Sequence, residues 1–441
     1  EAPGNQAISR SKLIRKISMT KVSTKKEYKL SGVDWVKEVP SGWDNRRMKF
    51  LLSLLKRPVR DEDQIITALR DGIVTLRSNK REDGFTIALQ ESGYQGIRKG
   101  DLVIHGMDGA AGAIGISDSE GKATPVYSVC NPRNEEVVSR YYAYLLRTLA
   151  LTGYIMSLAR GIRERSTEFK WNIIGNLNLI LPPLETQKRI ADFLDERTKT
   201  IDELIEKKGK LIEFLREKRA ALITHTVTKG IDSKAKMKPS GIDWLGDIPA
   251  KWEIRRGKFI FKYKKELNSR YQCDHILALT LRGVINKEDY EMRSLTPTDY
   301  ASYQIFYSDD LVFKLIDLEN RQTSRVGIVS QKGIMSPAYL RIVPNSDTFS
   351  KFFYWFYYSL YLQGIFNFLG MGVRSTLNQQ DLLSQFVVMP SGREQKQIAD
   401  FLDVETIKMD KASMLVNLQI EKLKEYRSSL IYHAVTGKIK I

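Results

Sequence analysis

The chain is poor in the residues that build disulfide frameworks and metal centres. Its 441 residues include only two cysteines, Cys130 and Cys273, and four histidines. Two cysteines are too few for a disulfide framework or a cysteine zinc site, and the histidines have no neighbouring ligand pattern. We therefore expect no metal site in this chain and a reducing, cytoplasmic setting.

Long apolar runs are also missing. The most apolar stretch, residues 349–369, contains Tyr, Asn, Gln, Lys and Ser and is interrupted by Gly364, so we expect a buried helix there. The first 30 residues are basic and lack the uninterrupted apolar core of a signal peptide, so we expect a loose basic arm. No membrane segment is predicted.

Acidic residues are too few to balance the basic ones. Lys and Arg number 70 against 52 Asp and Glu, which leaves a formal net charge of +18. Such an excess favours a polyanionic partner, with nucleic acid ahead of a membrane surface. Because 42% of the residues are apolar, the chain can also bury substantial cores.

Complete catalytic motifs do not occur in the sequence. The glycine-rich stretch 106–112 lacks the Lys-Ser/Thr of a phosphate-binding loop, so we expect a turn that lets backbone approach something closely. Asp202, Glu206 and Lys208 resemble part of a nuclease site, but they fall on a helical heptad where solvated charge is the ordinary explanation. His225 and His433 occupy matched places, where packing at a helix end is expected.

What the sequence does contain is a duplication. Residues 31–55 recur at 240–264 with ten identities, and residues 187–198 recur at 395–406 with nine. Offsets of 209 and 208 residues are the length of a domain unit, so the chain consists of two related halves. The middles of the halves diverge, which indicates one scaffold carrying two different binding surfaces.

Each half ends in a long helical pattern with apolar residues seven apart. The predicted helix-pairing residues are Leu194, Ile201, Leu204, Leu211, Leu215 and Leu222 in the first helix and Leu402, Met409, Val416, Leu423 and Leu430 in the second. The simplest partner for the helix of the first half is the helix of the second half. Packing about a pseudo-twofold axis would make the two helices antiparallel.

The predicted fold class is α+β: two pseudo-repeated mixed α/β domains separated by two long antiparallel coiled-coil helices. The predicted divisions are a basic arm at 1–30, a first globular domain at 31–184, a central helix at 185–230, a linker at 231–239, a second globular domain at 240–392 and a C-terminal helix at 393–441. Within the domains, residues 141–157 and 350–368 are predicted to be helices.

Both globular domains place basic and amide side chains in predicted loops. Phosphate contacts require charge, and base edges require planar groups such as Arg, Asn and Gln, so this mixture suits duplex DNA. The candidate DNA-binding residues are Arg70, Arg77, Lys80, Arg81, His105, Asp108, Arg160, Arg163, Arg165, Arg282, Lys314, Asn320, Arg321, Arg325 and Arg374. Both copies keep Arg70/Arg282 and Arg165/Arg374, which favours backbone positioning. The divergent His105, Asp108 and Asn320 are better candidates for reading bases.

Four tryptophans belong to the repeated boxes: Trp35, Trp43, Trp244 and Trp252. They could stack on bases, but a role as core anchors between helix and globular domain is the stronger expectation.

Several motifs together resemble specificity subunits of type I restriction-modification systems. They are Ser-Gly-x-Asp-Trp-x-x-x-x-Pro-x-x-Trp at Ser31 and Ser240, Pro-Pro-Leu-x-x-Gln-Lys-x-Ile-Ala-x-Phe-Leu-Asp at Pro182, and Arg-x-x-Leu-Ile-x-His-x-Val-Thr at Arg219 and Arg427. The resemblance covers nearly the whole chain from Tyr28 onward.

The resemblance implies that each globular domain is a target recognition domain reading one half of a bipartite, asymmetric site in double-stranded DNA. It further implies that the paired helices set the gap and dock two methyltransferase subunits, and that motor-nuclease subunits can join them. S-adenosylmethionine, ATP and Mg would be bound by those partners, with no cofactor and no catalysis on this chain. A coiled-coil protein adaptor and a nuclease with an unrecognised site are the alternatives.

Overall fold

A computed structural model describes residues 27–80, 92–158, 171–287, 299–318, 324–345, 348–369 and 376–441. The chain divides into two compact units. The first unit contains the residues up to Ile205 together with Glu421–Ile441, and the second unit contains Glu206–Ile420. The predicted basic arm falls almost wholly outside the described residues.

The helices of the described residues are α1 Met48–Leu51, α2 Ser139–Leu151, α3 Tyr154–Leu158, α4 Trp171–Ile174, α5 Leu184–Lys229, α6 Ser350–Leu362, α7 Ile365–Leu369, α8 Gln379–Ser384 and α9 Gly392–Val435. None of these helices is both long enough and apolar enough to cross a membrane.

The strands of the first half are β1 Tyr28–Val33, β2 Val36–Pro40, β3 Asp44–Arg47, β4 Leu52–Leu54, β5 Ile66–Ala68, β6 Val74–Leu76, β7 Gln95–Ile97, β8 Leu102–His105, β9 Ile114–Ile116, β10 Gly121–Ala123, β11 Tyr127–Pro132 and β12 Asn178–Leu181. Those of the second half are β13 Met237–Pro239, β14 Asp247–Pro249, β15 Glu253–Arg256, β16 Phe261–Lys264, β17 Leu277–Thr280, β18 Gly283–Asn286, β19 Gln304–Phe306, β20 Leu311–Phe313, β21 Val326–Ile328, β22 Gly333–Met335, β23 Leu340–Pro344 and β24 Phe386–Met389.

An antiparallel four-stranded sheet forms the centre of the first globular domain, in the order β4-β11-β8-β9. Successive side chains of a strand point to opposite faces. Leu102 and Ile104 of β8 therefore join the main core of the first unit, while Val103 joins a smaller core on the other face. Helix α2 covers the main core with the fully buried Tyr141 and Leu145.

The second globular domain repeats this arrangement with different side chains. Its sheet has the order β16-β23-β20-β21. Leu311 and Phe313 of β20 face the main core of the second unit, and Val312 faces the smaller core. The predicted fold class, two mixed α/β copies with long antiparallel helices, is confirmed.

The predicted helices inside the globular domains are each broken in two. Helix α2 ends before Gly153 and α6 before Gly364, and these glycines have φ of +78° and +72°. A left-handed residue ends an α-helix because it redirects the chain, and glycine adopts that conformation without a Cβ penalty.

The long helices pair in opposite directions. In the second unit, Lys208 Nζ of α5 donates to Gln419 Oε1 of α9 at 2.6 Å, and Arg219 Nε lies 3.1 Å from Asp410 Oδ1. The later residue of α5 thus contacts the earlier residue of α9, so the two helices are antiparallel.

The prediction that Leu204 and Leu211 pair the helices is wrong. Leu204 and Leu211 are each 42% exposed. The inward positions that accompany Leu194 and Ile201 are instead Thr198, which is 5% exposed, and the half-buried Ile205 and Ile212. The second row of inward residues therefore lies four residues after positions 194, 201 and 208, not three.

A buried glutamine fixes the start of each long helix. Gln187 Nε2 donates to the carbonyls of Pro182 and Glu136, both at 2.8 Å, and its Oε1 accepts from Val138 N–H at 2.9 Å. Gln395 repeats the arrangement in the second unit, donating to Pro390 O and accepting from Phe349 N–H. A buried amide with all its partners supplied holds the helix against the globular domain.

The tryptophans at the ends of the repeated boxes are core anchors, as expected. Trp43 is 5% and Trp252 is 1% exposed. Trp35 Nε1 donates to Asn178 O at 3.2 Å, and half-buried Trp244 lies against Phe356. Rings held in these positions are not free to stack on bases.

Candidate nucleic-acid interface

The loop that follows β8 brings three of the candidate residues together. His105 ends the strand, and its Nδ1 accepts hydrogen bonds from the backbone N–H groups of Asp108 at 2.9 Å and Met107 at 3.2 Å. Accepting on Nδ1 leaves the proton of the neutral ring on Nε2. Burial lowers the pKa of His105, against a smaller opposing effect of the Asp108 carboxylate, so the neutral ring predominates near neutral pH.

Asp108 is joined to Arg70, which lies in the turn between β5 and β6. Arg70 Nη2 and Nε donate to Asp108 Oδ1 at 2.8 and 3.2 Å. The side chains are 72% and 42% exposed. An exposed ion pair of this kind contributes about 1 kcal/mol or less, so either side chain can exchange its partner for a DNA group at low cost.

Two glycines allow this loop to lie close to its neighbours. The N–H of Gly106 donates to Val126 O at 2.9 Å, and a Cβ at Gly106 would lie 2.5 Å from that oxygen. Gly112 has φ of +98°, and a Cβ there would lie 2.8 Å from Arg70 O. The predicted turn with close backbone approach is confirmed, and its neighbour is protein backbone.

Beside the loop lies a cleft of about 850 Å³ in the first unit. Its lining includes Lys56, Tyr94, Met107, Tyr127 and Trp171. The ring of Tyr127 meets His105 edge-on with centroids 4.5 Å apart, so cleft and loop share a wall. Basic and aromatic side chains around a groove are the groups that contact phosphates and stack on bases.

Other candidates of the first domain lie on the same hairpin as Arg70. Arg77 is half-buried in the short 3₁₀ turn that follows β6, and Lys80 is exposed just after it. The sequence did not single out Lys56, Tyr94 or Trp171, because they come from three separate parts of the chain and share no spacing.

In the second domain, Arg282 occupies the same kind of position as Arg70. It is exposed at the turn between β17 and β18, where its N–H donates to Thr280 Oγ1 at 3.1 Å. Lys314 follows β20, half-buried, and its N–H donates to Arg325 O at 3.0 Å. Two copies of one hairpin therefore present the arginine that both halves keep.

Arg325 is not a surface residue, and the prediction that it contacts DNA is wrong. It is 1% exposed and donates through Nη2 to Asp317 O at 2.5 Å and through Nη1 to Ile316 O at 3.3 Å. Burial lowers the pKa of this guanidinium. Its fork fastens the loop after β20, which is a structural role.

Comparison with known proteins bears on both the fold and this interface. The sequence model of the family described as "Type I restriction modification DNA specificity domain" matches residues 78–213. A putative type I restriction enzyme specificity subunit, MjaX of Methanocaldococcus jannaschii, is 24% identical over 423 residues, covering 92% of this chain and 95% of that protein. The MjaVIII specificity subunit of the same organism is 27% identical over 319 residues, covering 68% and 70%.

The chain is thus similar over nearly its whole length to type I restriction-modification specificity subunits. Solved structures share its fold. A chain from a study of complex assembly and conformational transition of the type I R-M system has a TM-score of 0.65 at 15% identity, covering 91% of this chain and 99% of that one. The HsdS subunit from Thermoanaerobacter tengcongensis has a TM-score of 0.52 at 14% identity, covering 92% and 100%.

The residues that resemble part of a nuclease site take part in helix contacts instead. Asp202 accepts two hydrogen bonds from Arg427, Glu206 pairs with Lys210 at 2.6 Å, and Lys208 reaches Gln419.

Some candidate DNA-binding residues lie outside the described residues. They are Arg81, Arg160, Arg163, Arg165, Asn320, Arg321 and Arg374. Among the described candidates, the structure brings Arg70, His105 and Asp108 into one cluster.

Proposed function

We propose that this chain is the DNA-reading subunit of a type I restriction-modification complex, in which each globular domain reads one half of a bipartite, asymmetric target. The first domain uses the loop of His105 and Asp108 with Arg70. The second uses the hairpin of Arg282 and the loop that begins at Lys314. Target recognition precedes adenine methylation by the partner subunits, and the complex acts in the cytoplasm, where its DNA lies.

The observation that carries this proposal is the contrast between shared sheets and different loops. Strands β8 and β20 occupy equivalent places in their sheets, yet β8 leads into His105 and β20 into Lys314. Sequence is read by side chains that reach base edges, whereas a scaffold only presents them. One scaffold with two loop sets suits a target whose halves differ in sequence.

The long helices support a second role as a spacer. Helix α5 has 46 residues and α9 has 44, so each is about 65 to 70 Å long at 1.5 Å per residue. We propose that this pair fixes the number of base pairs between the half-sites.

The same helices expose an apolar surface suited to a partner. On α9, the second unit exposes Val404, Ile407, Met414, Leu415 and Leu418, each by more than half. A contiguous apolar face at helical spacing marks a site of protein association. We propose that two methyltransferase subunits dock along the helices and that they bind S-adenosylmethionine, with motor-nuclease subunits supplying the use of ATP and Mg.

The test is a map of N6-methyladenine across the host genome with this gene intact and with it deleted. We expect one split, asymmetric motif to lose its methylation on deletion, which would identify both half-sites at once. Expression of the methyltransferase is checked in both strains. An unchanged map while that partner is expressed and bound to this chain would contradict the proposal.

A further inference from the structure

Several of the ten residues that the two repeated boxes share have an internal role. Ser31 Oγ and Ser240 Oγ each accept the N–H two residues later, at 3.1 Å in both copies. Gly32 and Gly241 have φ of +71° and +74°, which few other residues adopt. The buried Trp43 and Trp252 anchor their cores. Such identities follow from the shared fold.

Four further residues are the same in both copies, and no internal role explains their identity. They form what we call the repeat patch: Arg46, Arg47, Lys49 and Phe50 in the first unit, and Arg255, Arg256, Lys258 and Phe259 in the second. Phe50 is 56% exposed and Phe259 is 67% exposed. The Lys Nζ lies 5.5 Å from the Phe50 centroid and 5.1 Å from that of Phe259, so the local arrangement is kept as well.

Contacts within each unit do not explain why these residues are the same. Arg46 lies 3.4 Å from Glu136, which comes from the loop before α2, whereas its counterpart Arg255 pairs with Glu253 two residues away. Lys49 Nζ donates to Asn176 Oδ1 at 2.9 Å. Arg46 and Arg255 have different side-chain partners although the residue is the same, which points to a cause outside the unit.

Whatever contacts the patch must be the same in both halves, although the domains read different DNA. DNA phosphates are also the same in both halves. A phenylalanine ring, however, has neither the charge nor the hydrogen-bond donor that a phosphate contact requires. An exposed ring is stabilised by an apolar pocket, and the surrounding Arg and Lys favour an acidic rim on the partner. A protein surface used twice satisfies both requirements.

We infer that the repeat patch is a docking site for two copies of one protein that presents an apolar pocket edged by acidic residues. This inference rests on the proposed function, which makes the methyltransferase subunit the occupant. Strands β3 and β15, which precede the two Lys-Phe pairs, are paired with β12 and β24, the strands that lead into α5 and α9. The patch thus adds a contact at the base of each globular domain, separate from the helix surfaces.

The experiment uses the full chain co-expressed with its methyltransferase and compares Phe50→Ser, Phe259→Ser and the double variant with the wild type. Phe368→Ser is the matched control, because Phe368 is 87% exposed but its counterpart in the first half is Ser157. Stoichiometry is measured by native mass spectrometry and affinity by titration. Thermal unfolding of the isolated chains checks that the variants fold.

We expect each single variant to weaken one of two methyltransferase sites about tenfold or more, as for an aromatic anchor, and the double variant to weaken both. The control should bind like the wild type. Wild-type binding of both methyltransferases by the double variant would overturn the inference. Normal methyltransferase binding with weaker DNA binding at both half-sites would overturn it in favour of a phosphate contact. Failure of the wild-type chain to bind methyltransferase would instead contradict the proposed function.

Discussion

We propose that Asp108 reads a base, since it presents an acceptor at the surface of the first domain. Its carboxylate is exposed, and an exposed Arg70 is its partner. A carboxylate accepts from the amino group of cytosine, and loss of such a contact costs about 1 to 3 kcal/mol. We expect Asp108→Ala to relax one position of one half-site in a methylation map. Asp118→Ala, an exposed carboxylate of the same domain, is the control.

The contrasting substitution is Arg70→Ala. Both halves keep this arginine at a hairpin turn, which favours a phosphate contact common to the two domains. We therefore expect weaker DNA binding, with a salt dependence shallower by about one unit of log-log slope and an unchanged recognition sequence. A changed recognition sequence in the Arg70 variant would contradict the phosphate contact, and an unchanged one in the Asp108 variant would contradict the base contact.

We expect His105 to make the stability of the first domain sensitive to acid. Burial lowers its pKa below the usual 6.5, so the unfolded chain takes up the proton before the folded chain does. Stability contributed by the neutral ring is present above about pH 6.5 and is lost as the pH falls toward the lower folded pKa. We expect the free energy of unfolding to fall between about pH 7.5 and 5.5 less steeply in His105→Asn, whose amide oxygen still accepts from the loop. Urea unfolding at each pH measures this, and parallel slopes would contradict it.

Arg325 belongs to stability and not to recognition. Arg325→Ala removes a side chain that is 1% exposed, together with its hydrogen bonds to Ile316 O and Asp317 O, so we expect a loss of about 2 to 4 kcal/mol in the free energy of unfolding. Denaturant unfolding measures the loss, with the exposed Arg282→Ala as control. A wild-type unfolding curve for Arg325→Ala would show that the burial does not matter.

At the scale of elements, the same ion pair fastens the helices in each unit. Arg427 donates to both oxygens of Asp202 at 2.9 and 3.0 Å, and Arg219 lies 3.1 Å from Asp410. Adding the repeat offset of 208 to Asp202 and Arg219 gives Asp410 and Arg427, so the two pairs are copies of each other. They keep the register of the antiparallel helices because each arginine can meet only one turn of its partner.

Reversing one pair tests this. We expect Asp202→Arg or Arg427→Asp alone to destabilise the chain by about 1 kcal/mol, and the double exchange to recover most of it. For units of roughly 200 residues, that loss corresponds to about 2 to 4 °C in melting temperature. If the loss of stability in the double variant equalled the sum of the two single losses, the pair would have no role in setting the register.

The helices also show where sequence reasoning stops. An apolar period of seven predicts two long helices, because both copies keep it and no proline interrupts either. It does not separate a companion seam at Leu204 and Leu211 from one at Ile205 and Ile212, since three and four residues both approximate one helical turn. The true seam includes the polar Thr198 and Arg219, whose partners become visible only in three dimensions. Arg325 was wrongly predicted to contact DNA because the sequence does not distinguish an exposed loop arginine from a buried one.

At the scale of the whole molecule, duplication separates what must be constant from what can change. Buried tryptophans and helix-starting glutamines recur because each copy folds in the same way, while the difference between His105 and Lys314 is what we expect if each copy meets different DNA, as proposed. Sequence comparison of the halves therefore predicted the scaffold well. The recognition cluster required the structure, because Arg70 and Asp108 are joined through the fold of the sheet.

If the helices measure the gap, their length should set it. Removing seven residues from the middle of each helix at matched positions, 207–213 and 415–421, keeps both heptad seams in phase and both Arg-Asp pairs intact. Seven residues correspond to about 10 Å of helix, or about three base pairs of duplex. We expect the methylated motif to keep both half-sites with a gap about three base pairs shorter, while shortening α5 alone breaks the pairing and abolishes methylation. An unchanged gap in the matched variant would show that something other than the helices holds the half-sites apart.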